Sequence, residues 1–342
     1  MTVKIWVKFL SVILLISLLG SLLSACGGDE KKIVSKNRIY YEFFNTVSTI
    51  YDYTGGSEDE FRQVADHFED RLDYYHRLFD IYHEYDGINN LATVNRMAGV
   101  EAVEVNSDII ELLEFAIEMY ELTDGYVNVA MGSVLSIWHK YRTEGVKIPT
   151  EDELTEAARH TDINNIVIDK EASTVYLADP EMSLDVGAIA KGYAVEKIAK
   201  SIESYGITSY ALDVGGNLRT IGTKPNGEGW KTGVTNPDMN SVEKYVYYLN
   251  VSNTSVVTSG DYQRYYVVDG VKYHHIINKD TLMPANHFSS VTIVIGDSGF
   301  ADALSTALFN MDYDSGLALA KTIEGIKVVW VRLDGEVLTY GL

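Results

Sequence analysis

The stretch "SLDVGAIAKGYAVEKIAK" runs from Ser183 to Lys200, and its opening phrase returns as "LDVGGN" at Leu212 to Asn217, 28 residues after Leu184. The first half is short, apolar and closed by Asp185 and Gly187, whereas the second half has apolar residues at helical spacing. This predicts a strand, an acidic residue and a glycine turn written twice, with a helix between. Glycines at a strand-to-helix turn let backbone N–H groups approach an anion, which makes a nucleotide phosphate the first ligand to consider. Neither standard phosphate motif is present: there is no GxGxxG around Gly187 and no GxxxxGK[ST].

The surrounding pattern is mixed. "SEDE" at Ser57 to Glu60 is a capping box, followed by Phe61, Val64, Phe68, Leu72 and Tyr75 at helical spacing. Further helices are expected from Ser107 to the stop at Asp124-Gly125, from Gly187 to about Tyr205, over Phe300–Phe309, and from Asp314. "YEFFNTVSTIYDY" from Tyr41 and "KYVYYLNV" from Lys244 read as strands. "RYYVVDGVKYHHIIN" and "KVVWVRLDGEVLTY" each turn at Asp-Gly, a strong hairpin signal. Strands, helices and several hairpins interspersed in this way argue for an α+β fold.

The N-terminus predicts location. Lys4 and Lys8 precede an apolar run from Phe9 to Leu23, then "LSAC" ending in Cys26, the single cysteine of the chain. A basic start, a short apolar core and small residues before a cysteine describe a lipoprotein signal, too short for a membrane span. The expected organisation is a signal peptide over residues 1–25, a lipid-anchored tether over 26–37 beginning with lipidated Cys26, and one domain over 38–342. The expected location is the extracytoplasmic face of the cell membrane. Loss of the signal leaves 26 basic against 49 acidic residues, a net charge of −23. Such a chain is a poor partner for nucleic acid or an anionic surface, and an anionic nucleotide would call for a divalent cation beside it.

Three groups of side chains can carry chemistry. His274 and His275 are neighbours on an expected strand, so their rings point to opposite faces and do not share a metal. Either could face a pocket or serve as a structural histidine. Asp302, Ser305 and Thr306 follow the i, i+3, i+4 spacing and share a helix face beside Ala303, Leu304, Ala307 and Leu308. Their hard oxygens suit Mg²⁺, although Asp302 could equally cap its helix. "TSGDYQRYY" (258–266) reads as an ordinary polar turn. "TDGYVNVAMGSVLSIWHKY" (123–141) reads as a helix stop, a small-residue turn and aromatic packing.

Together these segments resemble the FAD:protein FMN transferases, the ApbE family. The resemblance rests on "FFNTVSTIY", "YDGINNLATVNR", "TDGYVNVAMGSVLSIWHKY", "SLDVGAIAKGYAVEKIA", "ALDVGGNLRTIG", "VTSGDYQRYY", "YHHIINKDTLMPA" and "FADALSTAL", in that order. It implies a T-fold-related arrangement of mixed sheets, packed helices and hairpins. It also implies FAD as substrate, contacted by Phe44, Tyr85, Ala130, Met131, Gly132, Asp185, Lys191 and Ile276. Mg²⁺ would sit on the backbone oxygen of Ala188 with Asp302, Ser305 and Thr306. His275 would be the general base. The implied reaction moves FMN from FAD to a Thr or Ser hydroxyl of an exported acceptor protein, with AMP leaving. Alternatives on the same resemblance are a Mg²⁺-dependent FAD pyrophosphatase and a non-catalytic FAD-binding lipoprotein. Phe44 and Asn45 stand where the family has Met-Gly, and Asn128, Ala130, Asn278 and Leu282 also depart from its usual residues.

Overall fold

The computed structural model describes residues 35 to 342; the signal segment, Cys26 and most of the expected tether lie outside them. The described chain opens with β1 (Lys36–Tyr40), β2 (Ser48–Asp52), α1 (Glu58–Phe79), α2 (Leu91–Arg96), β3 (Val103–Glu104) and α3 (Ser107–Leu122). It continues through α4 (Gly132–Glu144), α5 (Glu151–Ala157), β4 (Ile166–Asp169), β5 (Thr174–Leu177) and α6 (Ala190–Ser204). Then come β6 (Tyr210–Val214), β7 (Asn217–Ile221), β8 (Trp230–Thr235), β9 (Tyr245–Val251), β10 (Ser255–Gly260), β11 (Tyr265–Val268) and β12 (Val271–His274). The last elements are β13 (Phe288–Ile295), α7 (Ser298–Asn310), α8 (Tyr313–Thr322), β14 (Lys327–Arg332) and β15 (Val337–Tyr340).

Eight strands form one antiparallel sheet in the order β1-β2-β6-β7-β10-β13-β14-β15. Three smaller sheets, β3-β5-β4, β8-β9 and β11-β12, complete an α+β fold. Strand alternation sends successive side chains to opposite faces of the large sheet. Val257, Ile293, Val328 and Trp330 join the main core under the helices, whereas their neighbours Val256, Val294 and Val329 pack beneath Trp230 and Leu249 of β8 and β9. The capping box is formed at Ser57, whose side chain accepts from Glu60 N–H while Glu60 accepts from Ser57 N–H.

Four readings shift. Residues Tyr41–Val47 form a turn, not a strand, because Phe44 and Asn45 both adopt left-handed backbone, with φ of 50° and 51°. That conformation suits a glycine and is tolerated by asparagine, which explains how Asn45 can occupy a family glycine position. The expected tether gives way to β1 at Lys36, and α6 starts at Ala190 rather than Gly187. Finally, α4 had no sequence signal: its start carries no side-chain cap, and packing of Val134, Trp138 and Tyr141 against Tyr266 and Ile277 holds it.

The contact that positions the helices is between α6 and α7. A Cβ at Gly192 would fall 2.5 Å from Asp302 Cβ and closer still to the Ser298 carbonyl oxygen. Gly192→Ala is therefore expected to cost about 1–3 kcal/mol by overpacking. Gly296→Ala, where a Cβ meets nothing within 4 Å, is expected to be near neutral. Urea denaturation of the two variants checks the difference; equal midpoints would show that the helices part without cost.

Candidate functional site

A cavity of about 810 Å³ opens where the β6–β7 turn, the end of β10, the first turn of α6, one face of α7, α4 and the segment after β12 meet. That volume lies in the range of cofactor-sized pockets. The repeated phrase is explained here. Asp185 Oδ1 accepts from Gly187 N–H at 2.8 Å, Asp213 Oδ1 accepts from Gly216 N–H at 2.9 Å, and both carboxylates line the same cavity. The two turns differ in origin. The second is a hairpin through Gly215 and Gly216 at φ 60° and 90°. The first leaves no regular strand: Leu184 N–H and C=O are held by the Asn95 side chain instead. Asp213 was missed as a site residue, although its signal was the repeat itself.

Asp302 does cap a helix, but not its own. Asp297 caps α7, accepting from Gly299 and Phe300 N–H. Asp302 sits one turn further on, 4 % exposed, and its Oδ2 accepts from Gly192 N–H of α6 at 2.8 Å. Since α6 has no side-chain cap of its own, that carboxylate satisfies one of its free first-turn donors. Lys191 Nζ stands 3.5 Å from the same oxygen. Burial pushes the carboxyls of Asp302, Asp185 and Asp213 up; for Asp302, Lys191 works against this. A cation nearby would restore their charged forms.

Asp302, Thr306, Ala188 and Lys191 line the cavity together; Ser305 does not. Ser305 is fully buried, donates to the Asp302 carbonyl at 2.9 Å and lies 2.8 Å from Ser259 Oγ. Among the described residues no three His, Cys, Asp or Glu side chains cluster to hold a metal. The buried Oδ1 atoms of Asn217 and Asn310, both cavity residues, have no hydrogen-bond partner. One carboxylate with hydroxyl, carbonyl and amide oxygens fits Mg²⁺, a hard ion that completes its shell with water and phosphate oxygens.

The adjacent histidines divide as their alternation predicts. His274, 5 % exposed, sets Nε2 2.7 Å from the Ala285 carbonyl and its ring edge-on to Phe309 in the core. His275 turns into the cavity, with Nδ1 3.2 Å from the Arg264 carbonyl. Burial, with the guanidiniums of Arg264 and Arg142, pushes the His275 imidazole down to about 3, so it is neutral at physiological pH.

Met131 and Ile276 also line the cavity. Ala130 is fully buried and lies off the lining, and Gly132 opens α4 where a Cβ would strike Ser183. Phe44 packs on His76, and Tyr85 donates to Asp80 at 2.8 Å; neither lines the cavity. Tyr82, from the same loop as Tyr85, lines it instead, with its ring tilted by 33° against that of His139 of α4. Trp138, His139 and Arg142 were invisible as site residues because α4 itself was.

Comparison with known proteins agrees with this geometry. A family model described as the ApbE family matches residues 44–330. The chain is 33% identical to the FAD:protein FMN transferase of Treponema pallidum over 261 residues, 72% of each protein. It is 26% identical to that of Klebsiella pneumoniae over 270 residues, 77% of this chain and 83% of the relative. The crystal structure of the ApbE protein from Thermotoga maritima superposes with a TM-score of 0.80 at 28% identity, covering 90% of this chain and 97% of that one. The flavin transferase ApbE from Vibrio cholerae gives a TM-score of 0.74 at 25% identity with the same coverage.

Asp302→Asn tests the oxygen cluster, because it keeps an acceptor for Gly192 N–H and removes the charge. Without metal its melting temperature is expected to stay within a few degrees of the parent. Added Mg²⁺ should raise the melting temperature of the parent by mass action and leave the variant unmoved. An equal shift in both would place the ion elsewhere.

Proposed function

The chain belongs to the ApbE family, and we infer that it is a FAD:protein FMN transferase that uses Mg²⁺ and modifies an exported acceptor protein from a lipid anchor. The observation that carries the reading is the gathering of Ala188, Lys191, His275, Asp302 and Thr306, from three separate segments, on one cavity. Asp302, Thr306 and the Ala188 carbonyl would hold Mg²⁺, which when bound neutralises charge on the FAD pyrophosphate. Lys191 adds a second positive charge beside Asp302.

Phosphoryl transfer depends mostly on positioning and charge stabilisation. The acceptor hydroxyl oxygen attacks the phosphorus of the FMN half, its proton passes to the neutral imidazole of His275, and the bond to the bridging oxygen breaks. AMP leaves with that oxygen. A pyrophosphate in the cavity offsets the guanidinium charges that depress His275, so its basicity rises when substrate is bound. Met131, Ile276 and Asp185 supply the wall for the rest of the dinucleotide, and Phe44, Tyr85, Ala130 and Gly132 shape that wall from behind.

Two experiments test this. Co-expression with an exported acceptor domain should add the mass of one FMN moiety at a Thr or Ser. His275→Ala should slow that transfer by roughly 10²–10⁴. His274→Ala should lower stability and slow transfer far less, because its ring lies in the core. Equal loss of transfer in both variants would assign the pair to packing. Release of FMN and AMP from FAD without any acceptor, and no mass gain with one, would assign the chain to hydrolysis.

The anchor is separable from the catalyst. Cys26→Ser should abolish membrane retention of the processed form while preserving FAD affinity, since the residues that line the cavity run from Asn45 to Asn310. Fractionation with flavin titration checks this; loss of FAD binding would tie the terminus to the site.

A further inference from the structure

Arg142 of α4 and Arg264 of the β10–β11 turn both line the cavity. The buried or half-buried arginines Arg38, Arg71, Arg219 and Arg332 each have a carboxylate within 4.0 Å. Neither Arg142 nor Arg264 has a carboxylate within 4.0 Å among the described residues. Each is oriented by one uncharged acceptor instead. Arg142 Nη2 lies 3.1 Å from His139 Nδ1, and Arg264 Nη2 donates to the Asn45 carbonyl at 3.1 Å. A guanidinium has five donors, so each retains most of its donors and all of its charge.

Their placement is close to the reacting end. His275 N–H donates to the Arg264 carbonyl at 3.1 Å, and His275 Nδ1 lies 3.2 Å from the same oxygen. Arg142 and Arg264 act on one another and on His275 as like charges, and burial adds to the cost at Arg142. Two facing cations of this kind persist where an anion is to be bound between them. The same cavity is lined by Asp185, Asp213 and Asp302, and of these Asp185 is near enough to Arg142 for their charges to interact without forming an ion pair.

We infer that Arg142 and Arg264 form a two-pronged phosphate clamp that holds the phosphate of the FMN half of FAD, the phosphoryl group that is transferred. The assignment rests on the flavin-transferase reading for the identity of the ligand. The choice of the FMN phosphate over that of AMP follows from the proximity to His275, since the base must stand beside the phosphorus its acceptor hydroxyl attacks.

The test compares FMN, riboflavin and AMP as ligands of the full chain in Mg²⁺-containing buffer of fixed ionic strength. Flavin fluorescence follows the first two, and calorimetry follows AMP. Arg142→Gln and Arg264→Gln should each weaken FMN by about 10–100-fold, the range of charged hydrogen bonds. Riboflavin, which has the same ring without phosphate, should bind both variants as it binds the parent, and so should AMP. FMN affinity unchanged in the variants, riboflavin weakened in parallel, or AMP weakened as much as FMN would each overturn the clamp. These outcomes are distinct from failure of the flavin reading itself, in which the parent chain would bind neither flavin nor transfer FMN.

Discussion

The carboxylate of Asp302 lodged against the first turn of α6 is the contact on which the site depends. It requires a glycine at 192, because any Cβ there would collide with Asp302 and the Ser298 carbonyl. It gives α6 the cap its own sequence lacks. It also helps bring Ala188 and Lys191 onto the same cavity as Thr306, because the α6 start and the α7 face are held at hydrogen-bond distance. A second tie sets the same helices from the other end: Glu196 of α6 accepts from Ser298 N–H at 2.8 Å and pairs with Arg219 of β7 at 3.0 Å. The helix pair is thereby fixed to the sheet that carries the Asp213 turn.

The electrostatics of the cavity follow from that geometry. Burial raises the three carboxyls, against which Lys191 works at Asp302 and His139, Arg142 and Lys191 work at Asp185, and a further cation would favour their charged forms. Burial, together with the Arg264 and Arg142 guanidiniums, depresses the His275 imidazole. A cation beside the carboxylates and an anion beside the guanidiniums would relieve both together. An acidic protein can in this way bind a dianionic substrate against its net charge.

Much of this was legible in particular residues. The Ser57 capping box, the Asp-Gly hairpins at 269–270 and 334–335, and the opposite facing of His274 and His275 are local rules of backbone geometry, and each appears as read. The i, i+3, i+4 spacing of Asp302, Ser305 and Thr306 also described one helix face, but a face is wider than a site. Ser305 lies on the buried side of it, bonded to Ser259, and only its neighbours reach the cavity. Phe44 and Tyr85 fall just off the lining for a similar reason: their segments reach the site, and the individual rings turn to His76 and Asp80.

The sequence by itself determined the α+β class, the hairpins, the long helices and the family resemblance, because all of these are written in local periodicity, turn residues and ordered motifs. What it left to the tertiary structure were α4, the pairing of Asp213 with Asp185, and the meeting of Arg142 with Arg264. Helix α4 has no cap and exists through packing against the β11–β12 hairpin. The two aspartates are 28 positions apart and the two arginines 122, and no local rule specifies which segments separated by such lengths will face one cavity. That is decided when the apolar faces of the helices find the sheet, since burial is non-directional along the chain and only the packed core selects the neighbours.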